Sequence, residues 1–293
     1  MDKSLPKLTR DLNDAKRDLS EWGYCLIADA LSGGQVATLR ERLVEQAAAE
    51  GEIGRGAFDG GAGTPNQRVW NLINKGRVFR ELILHPLVGE FMAHLLGPDF
   101  ILSSLTANIA GPGGEPMLLH RDQGYVPFHT PEALVANIAW MLDDVTADNG
   151  GTRLVPRSHQ SAQPLENPND LGQAIAAEGP AGTALVFDGR VLHGTGPNVS
   201  RAKRHVLLSY FARFFIRQQE NMFLSLDPEV EASLSDELKI RLGYRVRGTL
   251  GGVQGPVEGK IVSRPHHTLG EIRAGVKPGA GVPRPAGESS ERR

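Results

Sequence analysis

The feature that most limits how this chain can fold is a succession of apolar, β-forming segments broken by glycine, proline and asparagine. Phe100 to Ile109, Leu134 to Leu142, Gly151 to Pro156, Thr183 to Phe187 and His205 to Phe215 read as strands, with Tyr24 to Ile27 as a shorter one upstream. Asn149-Gly150 is a strong hairpin signal between the second and third. Short strands are not stable alone, so their apolar faces must be buried against one another.

Helical patterns precede them. Leu8, Leu12, Ala15, Leu19 and Trp22 recur at steps of four and three, which predicts an amphipathic helix ending at Gly23. Ser32, with Gln35 three residues on, predicts the start of a second helix that runs to about Gly51 and buries Val36, Leu39, Leu43 and Ala47. Val78 to Leu84 and Pro86 to Leu96 read as two more, the second with proline at its start and Gly97 as its stop. Helices followed by many short strands imply a mainly β fold with flanking helices: a double-stranded β-helix, or cupin-like jelly roll, with an N-terminal helical buttress.

The remaining segments read as connections. Residues 51–67 hold six glycines and are expected to form a loop rather than a strand. The 161–181 segment reads as a polar rim insertion, with a helical turn over Leu171 to Ala177, and Asp227 to Leu242 as a C-terminal helix with proline at its first position. The expected organisation is one domain over 1–265 and a Gly/Pro-rich tail over 266–293, disordered from Lys277. A formal charge of −2, with no long basic tract, argues against nucleic acid as a partner. No apolar run is long enough to cross a bilayer, and the first residues lack a signal-peptide core, so the cytoplasm is expected. The single cysteine, Cys25, excludes an internal disulfide framework and reads as core. The oligomeric state is left open.

Chemistry concentrates in Met117-Leu118-Leu119-His120-Arg121-Asp122-Gln123-Gly124. In an extended segment residues i and i+2 share a face, so His120 and Asp122 can grip one cation together. A third candidate, His193, lies in Val186 to Gly196, read as strand, turn, strand. Two imidazoles and one carboxylate with open positions are the ligand set of a non-haem Fe(II) oxygenase. Each has a bland alternative: His120 and Asp122 as a surface turn, His193 as a core histidine. His159 and His205 are rival ligands and no better placed.

The arrangement resembles the phytanoyl-CoA dioxygenase family of Fe(II)- and 2-oxoglutarate-dependent oxygenases, in which a His-x-Asp pair is followed far downstream by a histidine and then a basic residue. Arg204, eleven positions after His193, takes the last place, and the resemblance covers roughly Leu12 to Gly243. Asp148 to His159 closely resembles a family signature and departs from it at Arg157, where glycine is usual. The resemblance implies Fe(II) held by His120, Asp122 and His193, O2 as oxidant, and 2-oxoglutarate as a cosubstrate split to succinate and CO2. Arg204 would neutralise the far carboxylate with a two-pronged contact that lysine cannot reproduce. Thr195, Trp140, Thr152, Arg68 and Asn71 are further candidate contacts, and Gln123 a supporting residue. Asp122 speaks against halogenation, since related halogenases leave that position open for chloride. The implied activity is hydroxylation, desaturation or rearrangement of a small organic molecule, a secondary metabolite or catabolic intermediate. No basic cluster favours coenzyme A. The competing readings are a cupin-like metal enzyme that uses no oxoacid, and a non-catalytic jelly-roll binding protein.

Overall fold

The computed structural model describes residues 5–61, 63–128, 130–161 and 172–263. The chain divides into two compact units, Met1–Gly243 and Tyr244–Arg293. The expected tail, 266–293, lies outside the described residues.

At the start, β1 (Leu8–Thr9) leads into α1 (Leu12–Trp22), whose first turn is capped by the Asp11 carboxylate accepting from the Asn13 and Asp14 amides. That cap begins the helix after Leu8, which belongs to a strand despite its helical spacing. Gly23 ends α1 in a left-handed turn at φ +84°, a conformation glycine adopts without strain. After β2 (Tyr24–Ile27), α2 (Gly33–Glu52) opens on the expected capping box, with Ser32 and Gln35 exchanging side-chain-to-backbone bonds. Leu39, Leu43 and Ala47 are buried as read, and Val36 half-buried.

The glycine-rich stretch is not a plain loop. β3 (Ala57–Phe58) pairs antiparallel with β4 (Gln67–Val69), making a hairpin whose turn is held by the Thr64 hydroxyl donating to the Asp59 carbonyl. Its glycines mark the turn, and two-residue pairing is too short to announce itself in the sequence. Next, α3 (Arg77–Ile83) and α4 (Pro86–Leu96) bury Phe79, Ile83, Phe91 and Met92.

The strands that follow are β5 (Phe100–Ala110), β6 (Val135–Met141), β7 (Thr152–Leu154), β8 (Ile175–Ala176), β9 (Ala184–Asp188), β10 (His193–Thr195) and β11 (Arg204–Arg213). Eight strands form one sheet in the order β1-β2-β9-β6-β11-β5-β4-β3, and three form a second, β10-β7-β8. Among the described strands only β1 and β2 pair in parallel. The turn at Asn149-Gly150 therefore carries the chain from one sheet to the other and closes no hairpin, because β6 pairs with β9 and β11 while β7 pairs with β8 and β10. Of the helical turn expected over Leu171 to Ala177, the described part contains β8; residue 171 lies outside. The expected C-terminal helix is interrupted: α5 (Met222–Ser225) precedes α6 (Pro228–Ala232) and α7 (Asp236–Arg241), and Ser235 starts α7 anew by accepting from the Leu238 amide.

The two sheets share an apolar core that includes Leu26, Met141, Leu154, Leu185, Phe187 and Val206. Burying such side chains stabilises the fold by roughly 1.5–3 kcal/mol each. On the large sheet's other face, α4 covers β5, β6 and β11. Among the described residues no helix is long and apolar enough to cross a membrane.

Candidate metal centre and its cavity

Backbone pairing brings the two histidines together. His120 and His193 form an antiparallel bridge, each amide donating to the other's carbonyl at 2.9 Å, and their ring centroids are 4.5 Å apart. Each ring is also oriented: His120 Nδ1 lies 3.1 Å from the Leu118 carbonyl, and His193 Nδ1 3.0 Å from that of Val191. A carbonyl only accepts, so both Nδ1 atoms donate and both Nε2 lone pairs stay free.

Asp122 completes the cluster at the start of a 3₁₀ turn, Asp122–Tyr125. Its Oδ1 is 3.6 Å from His120 Nε2 and its Oδ2 is 3.5 Å from His193 Nε2, with all three ligand atoms within 4.8 Å of one another. These gaps are too long for strong hydrogen bonds. They suit a cation held between, since ligands about 2.1 Å from a metal stand roughly 3–3.6 Å apart. Asn137, which the sequence reading missed, donates from Nδ2 to Asp122 Oδ2 at 2.5 Å. It is the one polar residue in the apolar run from Val135 to Met141, and that isolation was the available signal.

The local charges follow from this packing. Burial pushes Asp122 upward, but the two histidines and Asn137 outweigh it and hold the carboxyl below its ordinary range. Burial lowers His193, against the pull of Asp122. In the more exposed His120, Asp122 dominates and raises the imidazole.

The cluster opens on a cavity of about 270 Å³ that also receives Arg204, Thr195, Thr152 and Arg68. Arg204 is 2% exposed. Its Nη1 donates to the Asn108 carbonyl at 3.3 Å and its Nη2 to the Gly150 carbonyl, while Nε has no acceptor. Among the described residues no carboxylate pairs with it. Burial, with Arg68 adding to it, lowers its pKa to about 10. Gly150 is needed here: it holds φ +87°, and a Cβ would come within 2.7 Å of Ala110 Cβ. Thr195 Oγ1 accepts from Asn108 Nδ2 at 3.2 Å, and Thr152 pairs with Thr195 across the small sheet. Arg68 forms an ion pair with Asp59 at 3.0 Å.

Two expected contacts lie elsewhere. Trp140 points away from the cavity, because in β6 Asn137 faces inward and odd-even alternation sends residue 140 to the opposite face. There its indole donates to Ser209 Oγ at 3.0 Å and meets His85 edge-on. Asn71 takes a left-handed turn at φ +54°; its amide donates to Glu220 Oε1 and its side chain reaches the Ser225 carbonyl, outside the cavity lining. Gln123 braces the segment after Asp122, accepting from the Leu134 amide at 2.8 Å and donating to Thr130 Oγ1 at 2.7 Å. The rival histidines are engaged away from the cluster, His159 Nε2 near the Ser20 carbonyl and His205 with Asp143. Arg157 adopts φ +63°, the left-handed conformation glycine would favour, with its guanidinium over the Trp22 ring and paired with Glu21.

Comparison with known proteins adds to this geometry. The family profile described as Phytanoyl-CoA dioxygenase matches residues 19–206. The dioxygenase af480 of Aspergillus fumigatus is 30% identical over 253 residues, spanning 83% of this chain and 82% of that protein. The dioxygenase FUM3 of Gibberella moniliformis is 29% identical over 247 residues, spanning 77% and 80%. Among solved structures, the non-heme alpha ketoglutarate dependent carbocyclase SnoK from nogalamycin biosynthesis superposes with a TM-score of 0.62 at 24% identity, covering 76% of this chain and 94% of that one. That likeness is one of fold.

Proposed function

This chain belongs to the phytanoyl-CoA dioxygenase family, and on that footing we propose that it is an Fe(II)- and 2-oxoglutarate-dependent dioxygenase acting on a small organic molecule. It is an oxidoreductase. The reading takes the two sheets as a jelly roll, the domain as 1–265 and the substrate as a secondary metabolite or catabolic intermediate.

The observation that carries it is the meeting, in one cavity, of an open His/His/Asp cluster with a buried arginine that no carboxylate pairs with among the described residues. A buried, unpaired cation is costly to keep, so the site is built for an anion. His120, Asp122 and His193 would hold the iron without enclosing it, so that the oxoacid and O2 could reach it. When bound, the iron supplies the oxidation, in which 2-oxoglutarate is cleaved to succinate and CO2 and the substrate is hydroxylated or otherwise oxidised. Arg204 would clamp the distal carboxylate, with Thr195 adding a hydroxyl. Thr152 and Arg68 would bound the same pocket. Asn137 keeps Asp122 turned toward the metal position, and the two Nδ1–carbonyl contacts orient the rings and fix the tautomer that presents Nε2 to a metal.

Anaerobic titration of metal-free protein with Fe(II), then 2-oxoglutarate, tests this. A weak visible charge-transfer band is expected, absent in His120→Ala and weakened in Arg204→Ala. Iron binding without the band removes the oxoacid and favours a cupin-like enzyme; failure to bind iron removes the catalytic reading.

A further inference from the structure

Strand register makes one wall of the cavity a two-column array. β5 and β11 pair so that Ser104 stands opposite Tyr210, Thr106 opposite Leu208 and Asn108 opposite Val206, and all six side chains line the cavity. On every rung the β5 member is polar and the β11 member apolar or aromatic. Alternation turns Leu105, Ala107 and Ile109 to the other face, so the polar column results from a strict two-residue repeat. Asn108 bonds Thr195 beside Arg204 and belongs to the oxoacid end. At the opposite end Ser104 Oγ donates to Gln219 Oε1 at 2.6 Å. The Thr106 hydroxyl and the Gln219 amide nitrogen have no hydrogen-bond partner among the described residues.

The charges lining the cavity balance once it is loaded as proposed above. Arg68 already faces Asp59. The two charges of the iron, with Arg204 and Arg68, equal the four negative charges of Asp122, Asp59 and the 2-oxoglutarate dianion, ligating imidazoles being neutral. A charged substrate would enter such a site without a counter-ion and lose its hydration.

We propose that the substrate is an uncharged molecule with an apolar skeleton and at least one hydroxyl or carbonyl oxygen. Thr106 and the Ser104–Gln219 pair bind that oxygen, while Leu208, Tyr210 and the half-exposed Trp70 pack the skeleton. These residues set specificity. The inference rests on the oxygenase reading, and its test separates the two.

Protein loaded anaerobically with Fe(II) and 2-oxoglutarate is titrated calorimetrically with three probes sharing one cage skeleton: 1-adamantanol, 1-adamantanecarboxylate and 1-adamantylammonium. The alcohol is expected to bind at least about tenfold more tightly than either ion. Ser104→Ala combined with Gln219→Leu should cut that preference to about threefold or less and leave the dissociation constant for 2-oxoglutarate unchanged. Tighter binding of either ion, an undiminished preference in the double variant, or no binding of any probe overturns the proposal. The chelate band is recorded before any probe is added: its absence removes both readings, whereas a normal band with the wrong probe order removes only the substrate class.

Discussion

Two histidine–aspartate groupings in this protein use the same chemical groups to opposite ends. At the cavity, Asp122 stands 3.5–3.6 Å from two imidazole nitrogens, with its gap open to the interior. At the edge of β11, Asp143 Oδ2 lies 2.7 Å from His205 Nδ1 and 2.8 Å from the His205 amide, and Arg40 closes the other oxygen at 2.7 Å. In the second grouping both carboxylate oxygens are already satisfied from within the chain. The first keeps lone pairs in reserve for a guest. An extra ångström between partners separates a structural clasp from a candidate ligand set.

The comparison breaks most visibly at Asp122. Asp122→Ala should lower kcat/KM by about three orders of magnitude, ~4 kcal/mol of barrier; a variant that keeps half its turnover would remove Asp122 from the metal. Asn137→Ala sharpens the contrast by loosening the carboxylate alone. Iron affinity, measured by anaerobic titration, should fall about 10–100-fold while folding is retained.

The closed pair should respond in the reverse sense. Its histidine and Arg40 outweigh burial and hold the Asp143 carboxyl down to about 2. A depressed pKa stabilises the fold above the ordinary carboxylate range, near pH 4, and that stabilisation is lost as pH falls through about 2. Asp143→Asn should therefore cost ~2 kcal/mol at neutral pH, about 4–8 °C in melting temperature. Thermal scans from pH 6 to 2 should show a flatter decline in the variant, with turnover at neutral pH preserved. A loss of iron binding in Asp143→Asn would erase the distinction between the groupings. The smallest effect belongs to Trp140→Phe, which removes the bond to Ser209 at about 1 kcal/mol of stability and should leave the KM for 2-oxoglutarate unmoved.

Trp140 also shows where the sequence stops being readable. Leu134 to Leu142 is apolar on both faces because helices cover one side and the core the other, so its pattern lacks the alternation that tells in from out. Asn137 was the only internal clue, and it fixes the parity that excludes Trp140. His120 and Asp122 were legible because i and i+2 is a local rule; their meeting with His193 depended on a long-range backbone bridge for which the chain carries no local signal. Arg204 and Arg201 are indistinguishable by composition, and strand register alone buries the former and leaves the latter exposed. Helix starts were readable through side chains that cap them, Ser32 with Gln35 above all. The β3–β4 hairpin was hidden by glycines that report chain reversal without naming what reverses. Ser235 could have revealed the break before α7, had its capping chemistry been weighed against the leucine spacing.

The reciprocal bridge between His120 and His193 fixes both candidate ligands with amide hydrogen bonds made within the chain. Folding energy and ion affinity are therefore separate accounts here, unlike small zinc modules whose chains collapse only around their metal. The protein is therefore expected to stay folded when stripped with a chelator and reloaded by exchange, which far-ultraviolet circular dichroism before and after stripping checks. A redox-silent divalent ion could then occupy the native geometry, giving a quiescent form in which cosubstrate and substrate binding are measured at equilibrium in air.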